Sequence, residues 1–207
     1  PWFRRITALS LSGAGAAALQ TAGLAAEAAM FRATGGVNTH KGELFSFSVL
    51  LAALGRYLTE GGDMFTYAAA LAAELTPPQN THGAAVAVRH QVGGARFEAL
   101  AGFPTARKAA ALLQTHDPLT VLLWLMAHTE DTNLYHRGGT EGAAFVKAQA
   151  AAILTAPPEC RAALALALDD TLIDRWLSPG GCADLLALAL FLARCRGIPA
   201  FLPGMNA

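Results

Sequence analysis

No window of this 207-residue chain alternates apolar and polar residues for long enough to build a strand. That absence removes sheets from the possible folds and leaves helices. Alanine and leucine dominate an apolar share of 54%, β-branched residues are few, and intrinsic preference therefore also favours helix. Gly-Gly and Pro-Pro steps cut the apolar segments at intervals, and neither an internal repeat nor a dividing linker is visible. The expected fold is all-α: one multi-helix bundle of about eight helices, forming a single domain over residues 1–207.

The punctuation places the helices. An Ala-rich helix is predicted from about Leu9 to Phe31, weakened by Gly13, Gly15 and Gly23, and a buried one from Glu43 to Tyr57, ended by Gly61-Gly62. Asp63 is a plausible cap for a helix to about Leu75, stopped by Pro77-Pro78, and Asn80 or Thr81 caps a short one through Gln91. Pro104 begins a helix to about Gln114, and Asp117-Pro118 caps a strongly apolar one from Leu119 to His128. Gly139 or Thr140 opens a helix to about Leu154, Pro157-Pro158 one to Trp176, and Gly180-Gly181 the last, ending near Gly197.

Fifteen basic and fifteen acidic residues cancel, and no long basic run exists, so neither nucleic acid nor an anionic membrane surface is an expected partner. The longest apolar runs, near Leu119 to Ala127 and Leu185 to Ala193, fall short of the ~20 residues a membrane span requires. Cys160, Cys182 and Cys195 are odd in number, lack a C-x-x-C spacing and read as reduced thiols, which points to a cytoplasmic protein. Arg4-Arg5 before Ile6 to Leu11 superficially resembles an export signal, but the helical pattern runs on through Glu27 to Phe31. Gly13-x-Gly15-x-x-Ala18 formally fits a dinucleotide fingerprint, yet no strand precedes it; close helix packing explains it better.

The densest chemistry lies at Gly35-Gly36-Val37-Asn38-Thr39-His40-Lys41-Gly42-Glu43, which runs straight into the buried helix. A helix N-terminus with free N–H groups beside a lysine suits an anion such as a phosphate. Gly94-Ala95-Arg96-Phe97-Glu98 offers a guanidinium for a phosphate and a carboxylate to orient it or a sugar hydroxyl; a surface ion pair is the plain alternative. An apolar helix then delivers Asp131, Thr132 and Asn133, whose oxygens are natural ligands for Mg²⁺ or ribose, or simply a helix stop. Arg137-Gly138-Gly139 offers a second anion cradle, or Arg137 is simply the dipole partner of a helix C-terminus. Ser178-Pro179-Gly180-Gly181 exposes N–H groups at a helix start, with Asp184 in the first turn as either dipole partner or metal ligand. Glu27, the sole acid of its apolar helix, calls for a partner: a metal, a sugar, or an ion pair with Arg32. His40, His82, His90, His116, His128 and His136 show no zinc-site spacing.

Four of these segments, in this order, resemble the triphosphoribosyl-dephospho-CoA synthase family: Gly35-Gly-Val-Asn-Thr-His-Lys-Gly42 with Phe45-Ser46, Gly94-Ala-Arg-x-Glu98, Asp131-Thr-Asn133 with Arg137-Gly-Gly139, and Ser178-Pro-Gly-Gly-Cys-Ala-Asp-Leu-Leu186. The likeness runs from about Ala22 to Arg194 and includes Glu27 and Met30. Phe97 stands where the family usually has glycine, and Cys182 where it commonly has serine. The family also carries an N-terminal Pro-Lys-Pro-Gly-type motif that nothing here matches, so this sequence is expected to be the C-terminal two-thirds or so of a longer product.

The resemblance implies a transferase that joins the triphosphoribosyl part of ATP to dephospho-CoA. A ribose hydroxyl of dephospho-CoA attacks the anomeric carbon of ATP, adenine leaves, and the triphosphate is retained. Such glycosyl transfer needs a clamp on the triphosphate, a base at the attacking hydroxyl, and negative charge near an oxocarbenium-like centre. Gly35, Gly36, Asn38, Thr39, Lys41, Gly42, Arg96, Asn133, Arg137, Gly138, Gly139, Ser178, Gly180 and Gly181 are the expected ATP- and phosphate-binding residues, with Glu98 orienting substrate. Mg²⁺ is the expected metal, on Glu27, Asp131 or Asp184; His40 or a carboxylate, Asp131 or Glu27, is the expected catalytic base, and the residues do not choose between them. The product would pass to a prosthetic-group transferase acting on the acyl carrier protein of malonate decarboxylase or citrate lyase. Homodimerisation stays open. Two other readings remain: a non-catalytic helical scaffold whose motifs merely build helix junctions, and another Mg-nucleotide phosphotransferase or hydrolase.

Overall fold

A computed structural model describes residues 1–76 and 93–195. Those residues contain ten helices and no strand: α1 (Trp2–Leu11), α2 (Ala16–Ala33), α3 (Lys41–Glu60), α4 (Met64–Glu74), α5 (Ala95–Leu100), α6 (Pro104–Leu112), α7 (Pro118–His128), α8 (Thr132–Thr155), α9 (Pro158–Asp174) and α10 (Gly180–Cys195). The all-α expectation holds, with more helices than the eight or so anticipated. The helix expected at Asn80 or Thr81 through Gln91 lies outside the described residues. Among the described residues no helix is long and apolar enough to cross a membrane.

The two extra helices have local causes. The segment read as one helix from Leu9 to Phe31 breaks at Ser12 to Gly15, where Gly13 is left-handed (φ 78°) and Gly15 begins α2 from an extended backbone. The short α5 is closed by Gly102 (φ 74°), with the Phe103 N–H returning to the Glu98 carbonyl at 2.9 Å. Phe103 is itself left-handed and fully buried, and Pro104 then opens α6. Two predicted caps are in place: the Asp63 carboxylate accepts from the N–H groups of Phe65 and Thr66, and that of Asp117 from Thr120 at 3.0 Å, ahead of Pro118.

The chain divides into two compact units. The first comprises α1 to α5; the second comprises α6 to α10, apart from Pro104 and the last two residues of α10. In the first, α1 lies along α3, and Ile6, Leu19, Ala22 and Ala52 form a buried cluster flanked by Leu9 and Leu71. Small residues permit the close approach. The Ser10 hydroxyl donates to the Ala52 carbonyl, and Gly55 leaves the space that Ser10 occupies: a Cβ at Gly55 would sit 2.6 Å from both Cβ and Oγ of Ser10. In the second unit, α7 packs along α8, and Val121, Leu123, Leu125, Val146 and Ala150 are all at most 1% exposed. Burying each of the Val and Leu side chains contributes about 1.5–3 kcal/mol.

Replacing Gly55 with alanine is expected to force α1 away from α3 and cost about 2 kcal/mol, the scale of overpacking in a filled core. Urea unfolding of Gly55→Ala against the parent protein measures it. An unchanged midpoint would show that Ser10 yields freely.

Candidate functional site

The glycine-rich stretch of the first unit ends where α3 begins. The Asn38 side chain accepts from the Lys41 backbone N–H at 3.0 Å, so it satisfies one of the four open donors at this helix start. Gly35 and Gly36 are both left-handed (φ 64° and 88°) and turn the chain from α2 into that approach. The Thr39 hydroxyl lies 2.6 Å from His40 Nδ1, fixing the ring at the helix entrance. Lys41 Nζ sits 2.5 Å from Glu27 Oε1. Glu27 therefore pairs across to α3 with Lys41 and not along its own helix with Arg32. Both partners keep roughly a quarter to a third of their side chains exposed (33% for Lys41, 25% for Glu27), so the ammonium retains donors that face solvent.

Arg96 behaves differently from expectation. Its Nη2 donates to the Leu75 carbonyl at 2.8 Å, which ties α5 to the end of α4, and Nη1 is buried without a hydrogen-bond partner among the described residues. Among the described residues it makes no ion pair. A buried, unmatched guanidinium N–H is costly and fits a site whose anion is supplied from outside the chain. Glu98 lies two residues on, in the first turn of α5.

The second unit is organised by Asp131. It is not the end of α7 but the N-cap of α8: Oδ1 accepts from the Asn133 N–H at 2.8 Å, and Oδ2 accepts from the Cys182 N–H at 2.9 Å. One carboxylate thus serves the starts of two helices, α8 and α10. It is only 3% exposed. Gly181 makes the approach possible, since a Cβ there would lie 3.1 Å from the carboxylate atoms of Asp131. Gly180 meets Asn133 in the same way, at 2.9 Å from its Nδ2. The Asp-Thr-Asn and Ser-Pro-Gly-Gly motifs, some fifty residues apart, therefore form one site. Burial pushes the Asp131 carboxyl above its ordinary value of 3.8, while the N–H groups of Cys182 and Asn133 pull the other way.

Around this centre the helix boundaries differ from expectation. The helix expected from Gly139 or Thr140 does open there, because Gly139 has non-helical backbone (φ 61°, ψ −160°); what the expectation lacked is the helical stretch from Thr132 that precedes this break within α8. Gly138 faces Leu177 so closely that a Cβ would lie 2.4 Å from its Cδ2, so Gly138 and Gly139 serve packing and a bend instead of an open loop. Arg137 is exposed on this bend, and its Nη1 points to the Trp176 carbonyl at 3.4 Å. Arg137 and Ser178 line an open cleft of about 400 Å³. Asp184 falls beyond the first turn of α10, too far along to cap it. Cys182 is 1% exposed, its sulfur is 3.3 Å from the Thr129 hydroxyl, and burial with the nearby Asp131 charge pushes its thiol far up. It is a packing group in its neutral form.

Two features escaped the sequence reading. Glu130 holds Lys147 and the Tyr135 hydroxyl together, the latter at 2.5 Å. Burial raises the Glu130 carboxyl, but the hydrogen bonds from Lys147 and Tyr135 outweigh it and hold it below its usual range; Tyr135 is pushed up to about 12, first by its bond to Glu130 and then by burial. No local spacing connects residues 130 and 147. Trp176 is the other, exposed at the end of α9.

Among the described residues no three His, Cys, Asp or Glu side chains group as a metal site. Asp131 is a poor direct ligand, because each oxygen already accepts a backbone N–H in a nearly dry setting. Glu27 fits better: Oε1 is on Lys41, and the side chain is partly exposed.

The all-helical chain thus offers, in its first unit, a lysine at a helix start beside a partly exposed carboxylate and, in its second, two helix starts joined by a buried carboxylate, groups of the kind that can bind phosphate. Residues 1–200 match the family described as ATP:dephospho-CoA triphosphoribosyl transferase, and the chain belongs to that family. It is 39% identical to the 2-(5''-triphosphoribosyl)-3'-dephosphocoenzyme-A synthase of Pectobacterium atrosepticum, over 93% of this chain and 72% of that one. A protein of Albidiferax ferrireducens, given the same name provisionally, is 40% identical over 83% of this chain and 65% of its own. This chain thus spans about two-thirds of the length of those relatives. A crystal structure from Archaeoglobus fulgidus, provisionally described as a triphosphoribosyl-dephospho-CoA synthase, shares the fold with a TM-score of 0.65 at 16% identity, over 95% of this chain and 96% of that one.

Asp131→Ala would strand two backbone N–H groups and is expected to cost about 3 kcal/mol. The pH dependence has a definite sign. A carboxyl raised in the folded state stabilises most fully below its ordinary value of 3.8 and loses that contribution as pH rises through the folded value. The stability gap between the parent and Asp131→Ala should therefore narrow as pH increases from about 4, read by urea unfolding at successive pH values. A gap that widens would show that the helix N-termini outweigh burial.

Proposed function

We propose that this chain transfers the triphosphoribosyl group of ATP to dephospho-CoA with release of adenine. The observation that carries the reading is the pairing of family membership with the Lys41–Glu27 contact at the start of α3, where the family's glycine-rich motif ends. The bond formed joins a ribose hydroxyl oxygen of dephospho-CoA to the anomeric carbon of ATP. The bond broken is that carbon's link to adenine, which departs with the proton balance restored by the hydroxyl proton.

Lys41 is suited to the triphosphate because its ammonium presents donors to solvent from a helix start, and phosphate charge is favoured at both. Arg137, exposed beside Ser178, supplies a planar fork for a further phosphate. The unmatched Nη1 of Arg96 suits a phosphate oxygen as well, with Glu98 as its orienting neighbour. His40, held through Nδ1 by Thr39, and Glu27 are the groups suited to accept the hydroxyl proton. Asp131 acts through position: it sets Asn133 and the Gly180-Gly181 helix start side by side. Mg²⁺ would enter with the triphosphate and neutralise its charge, with Glu27 as the carboxylate that fits it. The product, a triphosphoribosylated dephospho-CoA, is chemically a precursor to be attached to a carrier protein through loss of pyrophosphate, so a prosthetic-group transferase is the proposed recipient.

The test is a chromatographic assay with ATP, dephospho-CoA and Mg²⁺, which should yield free adenine and a heavier coenzyme A adduct in equal amounts. Phosphate release without adenine would replace this reading with a phosphotransferase or hydrolase. Lys41→Met should lower kcat/KM roughly 100-fold or more, the scale of removing one charge-stabilising donor. It should leave the unfolding midpoint nearly unchanged, because a partly exposed pair contributes only ~0–1 kcal/mol.

A further inference from the structure

We propose that Trp176 is a stacking platform for the adenine ring of one of the two nucleotide substrates; the proposal rests on the function stated above and deepens it. The end of α9 closes with the Leu177 N–H bonded to the Leu172 carbonyl at 2.9 Å and the Trp176 N–H bonded to the Ile173 carbonyl at 3.0 Å. In that closure the residue at position 176 is left-handed, and its φ is indeed 56°. Glycine is the usual occupant, because a side chain there meets backbone strain. This chain instead places its largest side chain at the strained position and leaves it 77% exposed. Neither packing nor local geometry accounts for that choice. Strain held at an exposed aromatic points to a use outside the fold.

The surroundings say what the use is. Trp176 lines the open cleft that Arg137, Asp169, Ile173 and Ser178 also line. Arg137 belongs to the Arg-Gly-Gly motif, and its Nη1 lies 3.4 Å from the Trp176 carbonyl, so guanidinium and indole are tied to one rim. A flat apolar face next to a fixed positive fork matches a nucleotide: the base lies on the indole and a phosphate meets the guanidinium. Asp169 adds an acceptor for an exocyclic amine or a sugar hydroxyl, which favours adenine over a base without such a donor. ATP and dephospho-CoA both carry adenine, and the same chemistry serves either.

The experiment uses equilibrium binding, without turnover. Each substrate is titrated alone, with Mg²⁺ present for ATP, while tryptophan emission is followed and Kd is checked by calorimetry. The parent should show quenching by one substrate, and the quenching should vanish in Trp176→Phe, which leaves Trp2 and Trp124 intact. Trp176→Gly relaxes the left-handed backbone, so it should melt no lower than the parent yet bind that substrate roughly tenfold more weakly; Trp176→Phe should recover most of the affinity. Loss confined to ATP assigns the platform to the departing adenine, and loss confined to dephospho-CoA assigns it to the acceptor. Unchanged Kd for both substrates in Trp176→Gly overturns the proposal. An assay in which the parent releases no adenine would sink the transferase reading, while the binding titration still decides whether Trp176 stacks a base.

Discussion

A single buried carboxylate holds the second unit's site in shape. Asp131 accepts the Asn133 N–H with one oxygen and the Cys182 N–H with the other, so it satisfies open donors at the starts of α8 and α10 together. Charge and burial compete here: a carboxylate is favoured at a helix N-terminus and this one meets two, yet its burial outweighs them and raises the carboxyl's pKa. The arrangement needs bare backbone on the opposite side. Gly181 faces the carboxylate and Gly180 faces Asn133: a Cβ at Gly180 would lie 2.9 Å from the Asn133 Nδ2, and one at Gly181 would crowd the carboxylate at 3.1 Å. The Gly-Gly step of that motif therefore leaves room for the carboxylate and for Asn133 beside it.

The first unit solves a similar problem with opposite exposure. Asn38 caps the start of α3 and Glu27 holds the Lys41 ammonium, but both charged chains remain partly in water. A pair of this kind contributes little to stability and much to position, since it keeps a flexible lysine extended at a helix start where an anion is favoured. The contrast with Asp131 is informative. A buried carboxylate with both oxygens taken organises backbone, whereas a half-exposed one with an oxygen to spare can take part in chemistry. The distinction follows from solvent access, not from residue type.

How much of this was legible in the sequence depends on the range of each interaction. Asp63 and Asp117 act on N–H groups two or three residues ahead, so their caps could be read directly. The motif residues could be named because their types suit phosphate chemistry and their order resembles a known family. Their partners were less accessible. For Glu27 the residues leave open a metal, a sugar or an ion pair with Arg32, and none of these names Lys41, which it meets because the turn through Gly35 and Gly36 leads from α2 into the start of α3. Asp131 was read as the end of one helix and is the beginning of the next. Glu130 and Lys147 carry no mutual signal, since only the course of α8 brings them together.

By itself the sequence determined an all-helical chain, most helix limits, and the set of side chains able to handle phosphate. Those properties depend on local propensity, periodicity and capping, which act over a few residues. The tertiary structure decided which carboxylate is dry, which lysine is paired, and that Asp131 and Cys182, fifty-one residues apart, share a hydrogen bond. It also decided that Trp176 ends α9 in a left-handed turn with its side chain in water. The physical reason is that burial and pairing depend on which surfaces meet in space, and a spacing along the chain does not encode that meeting.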